Sequence, residues 1–252
     1  MNDAFTAIAT IGQRTDYPLG EKSLRALGKH CGLHGGKRVL DLGCGRGELL
    51  CQWAKAFGIQ GTGVEEDEVN LRAALERASE LDVWQRLNLI DDDVIDYPQP
   101  FHQYDVIVCL ASTGQHDSLS ETRDWMRHSL DDRRGGILLL GLTYWRQKPT
   151  PEICEMLDWP VDALPTMGEI GMQLTDSEVF LRDMQLVSLA QMDAHYTHQW
   201  RACARWLQKN PDHDDVPAMH SWLSESQQRY LRYEREALGW GVFVLQVGKE
   251  TD

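Results

Sequence analysis

The chain has 252 residues, 42% hydrophobic and 25% charged, a balance that suits a globular fold and excludes a disordered chain. Its 39 acidic residues outnumber 25 basic ones for a formal charge of −14; such a surface repels phosphate backbones, so no nucleic-acid partner is expected. No apolar run approaches the ~18 residues of a membrane span, the N-terminus lacks a basic signal-peptide start, and the six cysteines contain no CxxC pair, so a cytoplasmic protein with free thiols and no membrane association is expected.

In chain order, residues 21–31 read as a helix, with Leu24, Leu27 and Cys31 at helical spacing and Gly32 as its stop, inside an N-terminal helical segment 1–35. A strand follows at Arg38–Leu42, a glycine turn at 43–47, a helix at Glu48–Phe57 and a helix stop at Gly58. Residues 62–64 form a second strand, 69–80 a helix, 87–90 a third strand, 105–110 an almost wholly apolar strand, 119–130 a helix and 137–141 a further buried strand. Beyond Trp145, the prolines at 149, 151, 160 and 165 predict a loop with at most short helices over 148–175. Then come a helix at 176–184, a strand at 186–192, helices at 196–210 and near 219–238, and a last strand at 239–248. This alternation predicts an α/β, Rossmann-like doubly wound sheet with helices on both faces. The sheet should be mostly parallel with an antiparallel last strand. A helical lid insertion at about 195–238 precedes that strand, all within a single domain spanning 1–252.

The chemistry concentrates in VLDLGCGRGE, residues 39–48. A buried strand carries Asp41 to the carboxyl edge of the sheet, where doubly wound folds bind ligands. Gly43, Gly45 and Gly47 let the backbone turn tightly and approach a ligand without a Cβ in the way. A dinucleotide fingerprint needs GxGxxG or GxGxxA to seat a pyrophosphate; here the sixth position is Glu48, whose charge is expected to oppose one. Asp41 suits a cationic ammonium instead. Glu65 ends the strand GTGVE, 22 residues after Gly43, where an acid can accept ribose hydroxyls, and Asp92 and Asp93 close a third strand.

These residues resemble the class I S-adenosylmethionine (SAM)-dependent methyltransferases, over about residues 38–141 and the terminal strand. The resemblance implies methyl transfer from SAM to a small-molecule acceptor, with S-adenosylhomocysteine (SAH) as product. It implies Asp41 beside the methionine ammonium, Gly43, Gly45 and Gly47 along the methionine and ribose, and Glu65 on the ribose hydroxyls. Asp93, with Asp92 alongside, is implied at the adenine amino group, and the Leu110 carbonyl at the ammonium. The segments YWRQ (144–147) and GWGVF (239–243) resemble an uncharacterised bacterial small-molecule group within the class.

Tyr144, Trp145 and Arg146, directly after the fifth strand, and Trp200, in the insertion, are candidates for a substrate pocket, although Trp145 can equally pack the loop and Arg146 pair with an exposed acid, and helical spacing like that of Trp200 more often means packing. Should the acceptor need to lose a proton, His116 and His195 are the candidate bases; a methyltransferase can also act with no catalytic side chain. His195 and His198 form an HxxH pair near His213, Asp212, Asp214 and Asp215, but the spacing fixes no third ligand, so no metal is expected. Residues 110–113 read LAST, without the N/D-P-P-Y/F or Pro-Cys of nucleic-acid methylation. The alternatives are a catalytically silent SAM- or SAH-binding regulatory protein and an NAD(P)-dependent reductase.

Overall fold

The computed structural model describes residues 3–98, 100–110, 116–131 and 135–248. In chain order its elements are α1 (Asp3–Ala9), α2 (Glu21–His30), β1 (Arg38–Leu42), α3 (Glu48–Phe57), β2 (Gln60–Glu65), α4 (Glu68–Glu80) and β3 (Leu87–Asp91). These are followed by β4 (Val106–Cys109), α5 (Leu119–Arg127), β5 (Gly136–Trp145), α6 (Pro151–Leu157), α7 (Met167–Leu174) and β6 (Val179–Leu186). The chain closes with α8 (Leu189–Lys209), α9 (Val216–Arg229), a π-helical turn at Tyr230–Glu234, α10 (Arg235–Ala237) and β7 (Leu238–Val247). They form two compact units, one of Leu19–Leu142, Gly168–Leu186 and Gly241–Asp252, the other of Met1–Pro18, Thr143–Met167 and Val187–Trp240.

The first unit is built on a seven-stranded sheet in the order β3-β2-β1-β4-β5-β7-β6. The β1–β2, β2–β3, β1–β4 and β4–β5 pairs are parallel and β6–β7 is antiparallel. The chain runs outward from β1 to β3 and returns on the other side of β1 as β4. The order therefore reverses between β1 and β4, the switch point where open α/β sheets leave a crevice at their strand tips. Strands β4 and β7 are buried along their whole length, and β1 along all but its first residue. They are the apolar runs expected of strands covered on both faces.

Local chemistry sets the helix ends. Asp67 caps α4 by accepting the Asn70 N–H at 2.8 Å, Ser118 caps α5 through the Glu121 N–H, and Gly58 ends α3 at φ +72°. Trp53 is fully buried in this unit, and its indole N–H is satisfied by the Leu24 carbonyl at 2.7 Å.

The region before the last strand departs from expectation. Residues 176–184 do not form a helix. Asp176 instead accepts the N–H groups of Glu178 and Val179, an Asx turn that starts β6. Residues 186–192 are not a strand either: Ser188 and Gln191 form a reciprocal capping box, and α8 starts at Leu189. The proline-rich stretch does carry two short helices, α6 and α7.

In the second unit, α8 and α9 are joined through Trp200, whose indole N–H donates to Ser226 at 3.1 Å. Tyr196 stacks on Tyr230 at 3.9 Å, while Phe5, Ala9, Cys203 and Met219 form an apolar cluster of α1, α8 and α9.

Candidate functional site

In the sheet unit, parallel pairing sets the tips of β1, β2 and β3 side by side. Asp41 pairs with Gly63, Leu42 with Val64, and Glu65 with Asp91. Gly43 and Cys44 both donate their N–H to the Val64 carbonyl at 3.0 Å, which fastens the glycine turn to the end of β2. Gly43, Gly45 and Gly47 have φ of +73°, +54° and +67°, conformations that L side chains rarely adopt.

Asp41 is 3% exposed and has no hydrogen-bond or ion-pair partner among the described residues. Burial, and secondarily the negative charge of Glu65, pushes its carboxyl up to about 7. An unpaired buried carboxylate is costly, and a cation would relieve both the desolvation and the repulsion from Glu65. Glu65 accepts the Gly45 N–H at 2.8 Å through one oxygen and the Asp67 N–H at 3.1 Å through the other. An ionised carboxylate has about four acceptor positions. Glu65 therefore keeps one free on each oxygen, enough for a vicinal diol.

At the tip of β3, Asp92 is half-buried and accepts the Asp93 N–H at 3.0 Å. Asp93 is exposed and caps the next turn by accepting the Ile95 N–H at 2.7 Å. Leu110, directly after β4, is buried. The donor set thus fits a ligand with a cationic head and a ribose: one uncompensated acid, one acid with two free acceptor positions, and bare main chain between them.

The expected antagonism between Glu48 and a pyrophosphate does not hold. Glu48 is 6% exposed but bound by Arg77 through two contacts, 2.6 Å and 3.1 Å, and by Gln52 at 2.8 Å. Its charge is spent inside the protein, and the pairing holds Arg77 above the ordinary arginine range. The preference for a cationic ligand rests on Asp41 and Glu65.

The remaining expected residues fall as follows. In the helical unit, Tyr144 lies so close over Gly239 that a Cβ there would come within 2.3 Å of its ring. Arg146 donates to the carbonyls of Ala237 and Leu238, at 2.8 and 2.7 Å, and one of its terminal nitrogens is buried without a partner among the described residues. Tyr144 and Arg146 are therefore held against residues 237–239 within this unit. Trp145 is wholly buried against Leu157, Leu238 and Trp159. The Trp145 indole N–H is buried without a partner among the described residues, and Trp200 lies against Tyr196 and Tyr230.

His116 lies against Trp125, ring centres 5.0 Å apart, with Nε2 buried and without a partner among the described residues. His195 faces two amides, Gln13 at 3.4 Å from Nδ1 and Gln199 at 3.2 Å from Nε2, and lines a cleft of about 780 Å³ in the helical unit. Burial lowers its pKa, against an opposing pull from Asp16. His198 is engaged with the Ile11 carbonyl at 3.2 Å, and among the described residues no cluster of three His, Cys, Asp or Glu side chains could hold a metal ion. None of the six cysteines forms a disulfide, and burial pushes Cys31 and Cys51 up to about 12.

Comparison with known proteins agrees with this geometry. Residues 39–130 match a family described as a methyltransferase domain. The chain is 34% identical over 235 residues to the uncharacterised protein YjhP of Escherichia coli (strain K12), covering 92% of this chain and 93% of that protein. A solved SAM-dependent methyltransferase from Geobacter sulfurreducens, in complex with SAH, is 31% identical with a TM-score of 0.88, covering 97% of this chain and 98% of that one. Another from Thiobacillus denitrificans, also with SAH, is 29% identical with a TM-score of 0.87, over 96% and 97% of the two chains.

Proposed function

The chain belongs to the SAM-dependent methyltransferases, and from that membership we propose that it methylates a small organic acceptor, with Asp41 and Glu65 as the two anchors of the methyl donor. When bound, SAM supplies an electrophilic methyl group on a sulfonium. Asp41 meets the methionine ammonium, and Glu65 accepts the ribose hydroxyls while still holding Gly45 and Asp67. Gly43, Gly45 and Gly47 border the methionine and ribose, the Leu110 carbonyl faces the ammonium, and Asp93 with Asp92 faces the adenine amino group. The observation that carries this reading is Asp41, a buried acid without a cation of its own.

Methyl transfer of this kind needs little acid–base help. Holding donor and acceptor in line contributes about 7–11 kcal/mol on its own. For an acceptor that must lose a proton we favour His116 over His195, because His116 keeps an uncommitted ring nitrogen and both nitrogens of His195 face amides. A small acceptor suits the net charge of −14, which disfavours nucleic acid. No helix among the described residues is long and apolar enough to cross a membrane, in keeping with a cytoplasmic role.

The test is incubation with methyl-tritiated SAM and a low-molecular-mass bacterial extract, then separation of small from large products. We expect label in the small-molecule fraction, lost with Asp41→Asn. Label confined to macromolecules would contradict the small acceptor, and SAM binding without any transfer would favour a silent regulatory protein.

A further inference from the structure

The helical unit contains a cleft of about 780 Å³ that the donor site does not use. That volume lies within the range of small-molecule pockets. Its walls include the rings of Tyr196, Trp222 and Tyr233 and the Met156 side chain, which favour a flat, apolar body.

Two arginines, Arg229 and Arg232, line the cleft from neighbouring turns. The only buried acid in the lining, Glu234, is already spent: it takes the Tyr196 hydroxyl at 3.0 Å and the Arg229 Nε at 2.5 Å. Arg229 also lies over the Trp159 ring at 5.4 Å, which fixes its plane. Arg232 has no ion pair or hydrogen bond among the described residues. The other acid in the lining, Glu225, is exposed and stands seven residues before Arg232 in the chain. Arg232 is thus left as a cation beside an aromatic wall in a chain whose overall charge is strongly negative.

The backbone supports the same conclusion. Residues Tyr230–Glu234 form a π-helical turn, a rare geometry that is frequent at functional sites. It sets Arg232, Tyr233 and Glu234 on the cleft wall. The turn is held from α8, where Asp193 accepts the Tyr230 hydroxyl at 2.8 Å and two nitrogens of Arg235 at 2.9 and 3.0 Å. Arg235, and after it Tyr230, hold Asp193 below the ordinary carboxylate range.

We propose that this cleft binds a small aromatic carboxylic acid, its ring among Tyr196, Trp222 and Tyr233 and its carboxylate on Arg232. This goes beyond the donor-site reading and does not depend on it, because the site lies wholly in the helical unit.

The test uses 1-anilinonaphthalene-8-sulfonate fluorescence on the intact, SAM-free protein, with 1-naphthoate and its neutral counterpart 1-naphthalenemethanol as competitors. We expect saturable binding of the dye and displacement by 1-naphthoate at a concentration at least tenfold below that needed for the alcohol. Arg232→Glu should weaken 1-naphthoate at least tenfold, Arg232→Lys should retain part of the affinity, and Lys22→Glu, the same charge change on the sheet unit, should leave it unchanged. Because Arg232 is exposed, these variants should keep the wild-type thermal midpoint. Equal competition by acid and alcohol, or equal loss with Lys22→Glu, would overturn the proposal. SAH binding measured alongside reports separately on the donor site.

Discussion

The carboxylate of Glu65 accepts the backbone N–H of Gly45 at 2.8 Å, tying the tip of β2 to the glycine turn after β1. The same side chain that is proposed to grip the ribose therefore also shapes the loop beneath it. Glu65→Ala should weaken SAM binding by about 1–3 kcal/mol, the range for lost charged hydrogen bonds. Glu65→Gln, which keeps one acceptor oxygen, should lose less. Calorimetry checks both, and an unchanged affinity in the alanine variant would remove Glu65 from the site.

Asp41 carries the opposite sign of effect for stability and for binding. Its folded-state pKa is raised from 3.8 to about 7, so protonation favours the folded form. That contribution is fully present below the unfolded value and is lost as pH rises through about 7. Asp41→Asn should therefore stabilise the ligand-free protein and raise its thermal midpoint at pH 8, with the gain shrinking toward pH 4. Melting curves across that range decide it; a variant less stable than wild type at pH 8 would count against a buried, unpaired Asp41.

Gly47 serves packing as well as the turn. A Cβ there would sit 2.8 Å from the Ala74 Cβ on α4, at φ +67°. Gly47→Ala should cost about 1–3 kcal/mol. Gly171→Ala, in α7 with nothing within 4 Å of the added carbon, should be neutral or stabilise by about 0.5–1 kcal/mol. Chemical denaturation of the two variants gives the comparison.

Arg77 and Glu48 form a pair whose halves cannot be removed separately. Arg77→Met leaves a buried carboxylate without its guanidinium and should cost about 3–5 kcal/mol. The double variant Arg77→Met, Glu48→Leu should recover much of that loss, and a double-mutant cycle measures how much. Additive losses would show the two side chains to be energetically independent.

The sequence made the sheet unit legible because its signals are local. Arg38–Leu42 and Glu48–Phe57 form where glycine and hydrophobic spacing predict them, and the acids at 41 and 65 lie at strand ends by position alone. Strand β6 was not legible: residues 176–184 read as a helix, yet the Asp176 side chain folds back on Glu178 and Val179, and the strand depends on pairing with β7. The start of α8 is signalled by the Ser188–Gln191 capping box, which lies within the apolar stretch 186–192 that reads as a strand. The partner of Glu48 was out of reach, because Arg77 arrives from another helix, 29 residues on. Likewise, the place of Trp145 after the fifth strand and the helical spacing of Trp200 do not distinguish a pocket wall from a packing contact.

The measurement that bears most directly on the donor site is a calorimetric titration with SAH at pH 8 and pH 6, on wild type and Asp41→Asn. An ammonium beside Asp41 lowers its pKa from about 7 on binding, so protons leave as ligand enters and affinity declines below that pH. The account predicts saturable one-to-one binding by wild type that is tighter at pH 8, and weaker binding by Asp41→Asn with little pH dependence. No uptake of SAH by wild type, or the same affinity and pH response in both proteins, would contradict it.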